Sequence, residues 1–249
     1  MMKFKKQSLS LVAMTTAMML LTACGTEDTT DEKQPSAQQT TDQQAETQKT
    51  DVTAEKKTEE KRDDGGYIIG QKASTEVKKV NGIVIANKRF PMPGDYAPGE
   101  SKEARAAFEK LNAFAKQSGY TFNAFSTYRS YDRQQVLYEN YKARDGKKAA
   151  DRYSARPGFS EHQTGLAFDI GDVNVPNDFA SNRFGKTDAG KWLAENAHKY
   201  GFIMRYPNGK EDITGYMYES WHFRYVGVDV ATKIYEEDST LEEYLGVEG

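Results

Sequence analysis

Two short segments hold the side chains best suited to chemistry: Ser160-Glu161-His162-Gln163-Thr164-Gly165-Leu166-Ala167-Phe168-Asp169, and Glu219-Ser220-Trp221-His222. The chain has three histidines, and two of them fall in these segments beside carboxylates. Asp169 interrupts the run Leu166-Ala167-Phe168-Asp169-Ile170, which otherwise reads as a buried strand. A buried carboxylate requires a partner or a metal. Strand alternation sends Leu166, Phe168 and Ile170 to one face and Ala167 and Asp169 to the other, so the carboxylate faces away from the apolar layer, with small Ala167 leaving room beside it. Two His and one Asp are ligands of the kind Zn²⁺ accepts, and three of them leave a fourth position for water, as a catalytic site requires. Glu219, three residues before His222, is then placed to act as general base without being needed as a ligand.

The elements that must position these groups follow from pattern. His162 precedes the strand at a point where Gly165 lets the backbone turn, and His222 opens a second strand-like run, His222-Phe223-Arg224-Tyr225-Val226. Residues 82–86 form a strand candidate, followed by a Pro-rich stretch expected to be extended. Residues 101–118 form the clearest helix, because Ala104, Ala107, Phe108, Leu111, Phe114 and Ala115 recur at helical spacing and Gly119 supplies a stop. Residues 120–127 read as a strand, and 132–144 and 188–200 as two further helices. There is no βαβ rhythm, which favours an α+β fold with an antiparallel sheet.

Together the segments resemble the VanY-type zinc D-Ala-D-Ala carboxypeptidases and the related L,D-carboxypeptidases, within the wider group that includes lysostaphin-like peptidases and the hedgehog signalling domain. The family pattern of Ser-x-His, Gly-x-Ala-x-Asp and Glu-x-Trp-His is filled at every fixed position. The likeness extends to Asn87-Lys88-Arg89-Phe90-Pro91-Met92-Pro93 with Tyr96 and Pro98, and to Tyr128-Arg129-Ser130-Tyr131 with Gln134, and so covers about residues 83–225. It implies a small antiparallel sheet carrying the zinc, with helices packed on one side. It also implies that Arg129, aided by Gln134 and Ser160, clamps the free carboxylate of the substrate's last residue. A guanidinium suits that role, since its planar fork binds a carboxylate bidentately. Such a clamp beside the metal makes an exopeptidase that removes the C-terminal D-Ala from peptidoglycan stem peptides. The D,D-reaction on a D-Ala-D-Ala end is the leading reading. The alternatives are an L,D-carboxypeptidase acting on tetrapeptides, a wall endopeptidase, and a non-catalytic zinc-binding module. Arg129 argues against the endopeptidase, because an internal bond presents no carboxylate, and Glu219 argues against the non-catalytic module.

The first quarter of the 249-residue chain is not core. Three lysines lie in positions 1–6, residues 9–21 are apolar, and Leu21-Thr22-Ala23-Cys24 follows. This reads as a secretory leader over residues 1–23, too short for an ordinary membrane span. Its end resembles the bacterial lipoprotein box, which makes Cys24, the one cysteine, the expected lipidation site. An exported domain without further cysteine has no disulfide, and its metal ligands must be nitrogen and oxygen. Residues 24–65 are expected to be a tether, because they contain almost no large apolar side chain to offset ordering entropy. Its reach is roughly 35 Å, from ~5–6 Å times the square root of length. Positions 25–64 carry 12 acidic and 6 basic residues, which with the three early lysines leaves the remainder neutral within a net charge of −3. A neutral domain has no basic footprint for nucleic acid. The expectation is therefore a monomeric zinc carboxypeptidase domain over residues 66–249, outside the cytoplasm and lipid-anchored to the bacterial cell membrane.

Other residues carry weaker signals. His198, near the end of a helix, suits the helix dipole better than a metal, and Trp221 suits the core better than a substrate platform. Glu161, Asp172 and Arg224 flank the site either as groups orienting the ligands or as solvated charges, a choice that the pattern leaves open.

Overall fold

The computed structural model describes residues 60–249. The expected leader, Cys24 and most of the expected tether lie outside the described residues.

Strands β1 (Lys79–Val80) and β2 (Ile83–Val84) form a short antiparallel hairpin; the chain from there to residue 101, expected to be extended, is interrupted by bends at residues 87–90 and a turn at residues 94–95. Helix α1 (Lys102–Gln117) forms where the apolar spacing is helical: Ala104, Phe108, Leu111 and Ala115 are its buried face. Ser101 caps it by accepting from the Ala104 N–H at 3.2 Å, Glu103 favours its positive end, and Ser118 closes it on the Ala115 carbonyl. Strand β3 (Phe122–Ser126) leads into α2 (Tyr131–Asp145), capped by Ser130. Next come α3 (Lys147–Tyr153), a 3₁₀ turn over Glu161–Thr164 and strand β4 (Ala167–Asp172). Helix α4 (Asp188–Asn196) continues as a 3₁₀ turn, Ala197–Tyr200, into β5 (Phe202–Met204). The chain ends with α5 (Glu211–Thr214), β6 (His222–Tyr225), α6 (Val228–Glu236) and α7 (Leu241–Leu245).

The main sheet has the order β3-β4-β6-β5 with every neighbour antiparallel, in agreement with the α+β expectation. Phe168 and Ile170 of β4, Phe223 of β6, Phe202 of β5 and Phe122 of β3 meet the buried faces of α1 and α4 in one core. Burying a side chain such as Phe168 stabilises by roughly 1.5–3 kcal/mol. Ile203, next to Phe202 and therefore on the opposite face, packs with Ile85, Ala231, Ile234, Leu241 and Leu245. Helices α6 and α7 thus cover the second face at the β5 edge, a departure from the one-sided arrangement. Pairing of Phe168 with Phe223 and of Asp169 with His222 fixes the register. The phenyl rings share the core face, and the carboxylate and imidazole share the other. The apolar core thereby sets the position of the polar site.

Candidate active site and metal centre

Three elements deliver the three expected metal ligands. His162 comes from the 3₁₀ turn, which Gly165 ends at φ +72. A Cβ at that glycine would lie 1.9 Å from the Gly99 carbonyl oxygen, so close approach and positive φ both require glycine. Asp169 projects from β4 and His222 from β6. One ligand atom from each residue lies within 4.8 Å of the others, and all three residues are buried.

The hydrogen bonds around the ligands define which nitrogens are free. His162 Nδ1 is 2.6 Å from the Thr127 carbonyl oxygen, which only accepts. That nitrogen therefore carries the hydrogen, and Nε2 faces Asp169 Oδ2 at 3.2 Å. His222 Nε2 lies 3.4 Å from Glu161 Oε2, and its Nδ1 faces Asp169 Oδ1 at 3.1 Å without hydrogen-bond alignment. Asp169 Oδ1 is consequently a buried acceptor with no hydrogen-bond partner. An orphaned carboxylate oxygen beside two imidazoles, each held through its other nitrogen, is a donor set that fits Zn²⁺.

The surrounding charges agree with a cation site. Burial opposes ionisation of Asp169, but the adjacent His162 and His222 hold its carboxyl well below the usual range. Burial lowers His162, with Asp169 working against it. Burial also opposes the His222 cation, yet the neighbouring Asp169 and Glu161 carboxylates push it up to about 9.

Glu161 is fully buried, and its Oε1 accepts from Arg205 Nε and from Arg224 Nη1, each at 2.7 Å. Glu161 and Arg224 are therefore paired and buried, not solvated, and Glu161 stands directly against His222. Asp172 instead caps the turn after β4, accepting from the Asn174 N–H and Nδ2 at 2.9 and 3.0 Å. Thr127 and Arg205 join the site without having been expected there. Arg205 carried a signal, since it breaks the apolar run Phe202-Ile203-Met204-Arg205-Tyr206 as Asp169 breaks its own.

Glu219 stands at the turn before β6, its N–H donating to the Tyr206 carbonyl at 3.1 Å and its Oε2 3.7 Å from His222 Nδ1. Burial, opposed by His222 and aided by Asp169, pushes its carboxyl up to about 8. Arg129 follows β3, where its N–H donates to the His162 carbonyl at 3.1 Å. Its Nη1 donates to Gln134 Oε1 at 2.8 Å and its Nη2 to Ser126 Oγ at 3.0 Å. Gln134 is fixed in turn by donating to the Ala155 carbonyl at 2.6 Å. The guanidinium lies 3.8 Å from Asp169 Oδ2, and burial lowers its pKa. Its five N–H donors exceed these two bonds, so a fork remains for a ligand. Glu219, Arg129, Gln134, Ser160 and the metal triad all line one cleft of about 880 Å³. Trp221 lines it too while packing against the main core. His198 is not part of the triad; it stacks on Tyr235 with ring centroids 3.8 Å apart.

Known proteins resemble this chain over the stretch that contains the site. A family model described as "VanY: D-alanyl-D-alanine carboxypeptidase" matches residues 99–228. The putative carboxypeptidase YodJ of Bacillus subtilis (strain 168) is 39% identical, over 84% of this chain and 86% of that protein. Among solved structures, an L,D-carboxypeptidase from Streptococcus pneumoniae is 47% identical with a TM-score of 0.60, covering 67% of this chain and 88% of the other. A variant of a vancomycin-resistance D,D-pentapeptidase, VanY, in complex with Zn(II) is 35% identical with a TM-score of 0.56, covering 65% of this chain and 97% of the other.

Proposed function

Since the chain belongs to the VanY family of zinc-dependent carboxypeptidases, we propose that His162, Asp169 and His222 hold its Zn²⁺ and that Glu219 and Arg129 act on a peptidoglycan stem peptide ending in D-Ala-D-Ala. The observation that carries this assignment is the unpartnered, buried Asp169 Oδ1 between two oriented imidazoles, in the cleft that also holds Glu219 and Arg129. The chemistry that zinc supplies when bound there is polarisation of a carbonyl and lowering of a water's pKa.

The chain's own residues do the rest. The fork of Arg129, held by Gln134 and Ser126, receives the terminal carboxylate of the substrate and sets the distance from that end to the bond cut. Ser160 lines the cleft as a further polar contact for that carboxylate. Glu219 accepts a proton from the attacking water and returns it to the leaving D-Ala amine, from a buried position beside His222 where its carboxyl is held above the usual carboxylate range.

A second reading, L,D-cleavage of a tetrapeptide, is supported by the higher identity to the L,D-carboxypeptidase than to the D,D-pentapeptidase, 47% against 35%. Both reactions present a terminal D-Ala carboxylate to Arg129. Residues 1–23 are proposed as a secretory leader, Cys24 as the lipidated N-terminus, residues 24–65 as the tether and residues 66–249 as the catalytic domain. That arrangement places a monomeric enzyme outside the cytoplasm, anchored to the membrane through its lipid. No helix among the described residues is long and apolar enough to cross a membrane.

The deciding experiment digests defined pentapeptide and tetrapeptide muropeptides and weighs the products. Release of one D-Ala from the pentapeptide, lost with a chelator and regained with zinc, is the expected outcome. Release from the tetrapeptide alone would move the assignment to L,D-cleavage, and an internal cut would overturn the exopeptidase.

A further inference from the structure

Behind the metal ligands a chain of buried ion pairs runs to the C-terminal helix. Glu161 Oε2 faces His222 Nε2 at 3.4 Å, and Glu161 Oε1 accepts from Arg205 Nε at 2.7 Å. Arg205 turns its remaining fork to Glu242 of α7, with Nη1 at 2.8 Å from Oε2 and Nη2 at 2.6 Å from Oε1. Glu161, Arg205, Arg224 and Glu242 have essentially no solvent exposure. Asn87 Nδ2 donates to Glu242 Oε1 at 3.0 Å, which fixes the far end of the chain. From these contacts we infer that Glu242, acting through Arg205 and Glu161, is a positioning residue for the metal ligand His222.

Charge balance and the geometry of the Arg205 fork both couple Glu242 to His222. First, the four buried charges sum to zero. Removing the charge of Glu242 leaves one uncompensated positive charge two ion pairs from His222, in surroundings that screen it poorly, where it disfavours a metal cation. Second, the arginine fork is divided between two carboxylates. Without Glu242, Arg205 is free to turn both of its edges toward Glu161 and compete for the Oε2 atom that receives His222 Nε2. Partners of this kind fix the tautomer and ring orientation of a ligating imidazole.

Docking of α7 does not account for the pair. Leu241 and Leu245 already bury the helix in the apolar cluster with Ile85 and Ile203. A buried ion pair is weak evidence for stability in itself, because desolvation offsets most of the Coulomb attraction. Glu242 also lies beyond the family match at residues 99–228, so the C-terminal helix contributes to the metal site from outside the matched region.

The inference rests on His222 being a ligand, so the test begins there: the zinc dissociation constant of the full chain is measured by competition with a chromophoric chelator, for the unmodified protein and for His222→Ala. Glu242→Gln is then expected to weaken zinc by about 10-fold, the lower end of outer-shell effects, while the metal-free protein still unfolds cooperatively. Glu161→Gln should weaken it at least as much, and the double variant no further than Glu161→Gln alone. Glu243→Gln, which disturbs the exposed cap of the same helix, should leave zinc affinity unchanged. Should Glu242→Gln not fold, Glu242→Asp keeps the charge one methylene short of the fork and should still weaken zinc several-fold. Zinc affinity indifferent to both Glu242 variants would overturn the inference, as would effects of Glu161→Gln and Glu242→Gln that multiply in full. Zinc retained by His222→Ala would instead refute the ligand assignment.

Discussion

Glu219→Gln should make the metal-free protein more stable while sharply reducing turnover of the zinc-loaded enzyme. Burial pushes the Glu219 carboxyl from the usual 4.5 up to about 8, so between those pH values the folded state holds a proton that the unfolded state has released. Stability of the metal-free protein therefore falls as pH rises through this window. The gap of about 3.5 pH units, at ~1.36 kcal/mol each, sets a ceiling of about 5 kcal/mol above pH 8. Glutamine keeps the shape and has no charge to bury. Urea unfolding in the presence of a chelator should accordingly find the variant near the unmodified protein at pH 5 and several kcal/mol more stable at pH 8.5. In the zinc-loaded form the same variant should keep its metal and lose at least ~10²-fold in turnover, the scale of a general base. An identical stability difference at both pH values would refute the burial argument, and retained turnover would refute the role.

Three further outcomes follow from other parts of the site and fold. His162→Ala should lose tightly bound zinc, checked by metal analysis of the purified protein. Arg129→Lys should lose about ten- to a hundred-fold in kcat/KM, since an ammonium keeps the charge without the fork and a charge-assisted contact is worth roughly 1.5–3 kcal/mol; Arg129→Ala should in addition stop distinguishing free from amidated ends. Asp151 is buried with its carboxyl held below 3.8, because Arg156, Tyr138 and Lys147 outweigh the cost of burial. Its contribution is present above that value and is lost as pH falls through the lower folded one. Asp151→Asn should thus cost roughly 1.5–3 kcal/mol at pH 7 and progressively less below pH 3.8, measured by chemical unfolding at each pH.

The triad was legible because each member disturbs a local pattern. Asp169 breaks an apolar strand, and two of three histidines sit beside carboxylates in short segments. Helix α1 was legible from spacing, capped by the serine that its sequence offers. Helix α2 was found within a residue at each end, although it buries little beyond Gln134 and Tyr138. Helices α3, α5, α6 and α7 and strands β1 and β5 were not read, being two to nine residues long with patterns too short to establish a period. The placement of helices on both faces depends on which way Ile203 points, which only the register of β5 against β6 decides. The roles of Glu161, Arg205 and Glu242 rest on contacts between residues far apart in the chain, with Glu242 reaching Arg205 across 37 positions and Arg205 reaching Glu161 across 44. No local pattern encodes such pairs.

The most direct measurement compares cleavage of a D-Ala-D-Ala peptide with a free C-terminal carboxylate and the same peptide with that carboxylate amidated, using the unmodified zinc-loaded enzyme and mass analysis of products. Amidation removes the charge and one acceptor oxygen, leaving the Arg129 fork poorly paired. The free peptide should release a single D-Ala, and the amide should react about ten- to a hundred-fold more slowly, from the ~1.5–3 kcal/mol of a charge-assisted contact. Equal cleavage of the two, or a cut away from the C-terminal bond, would contradict that expectation.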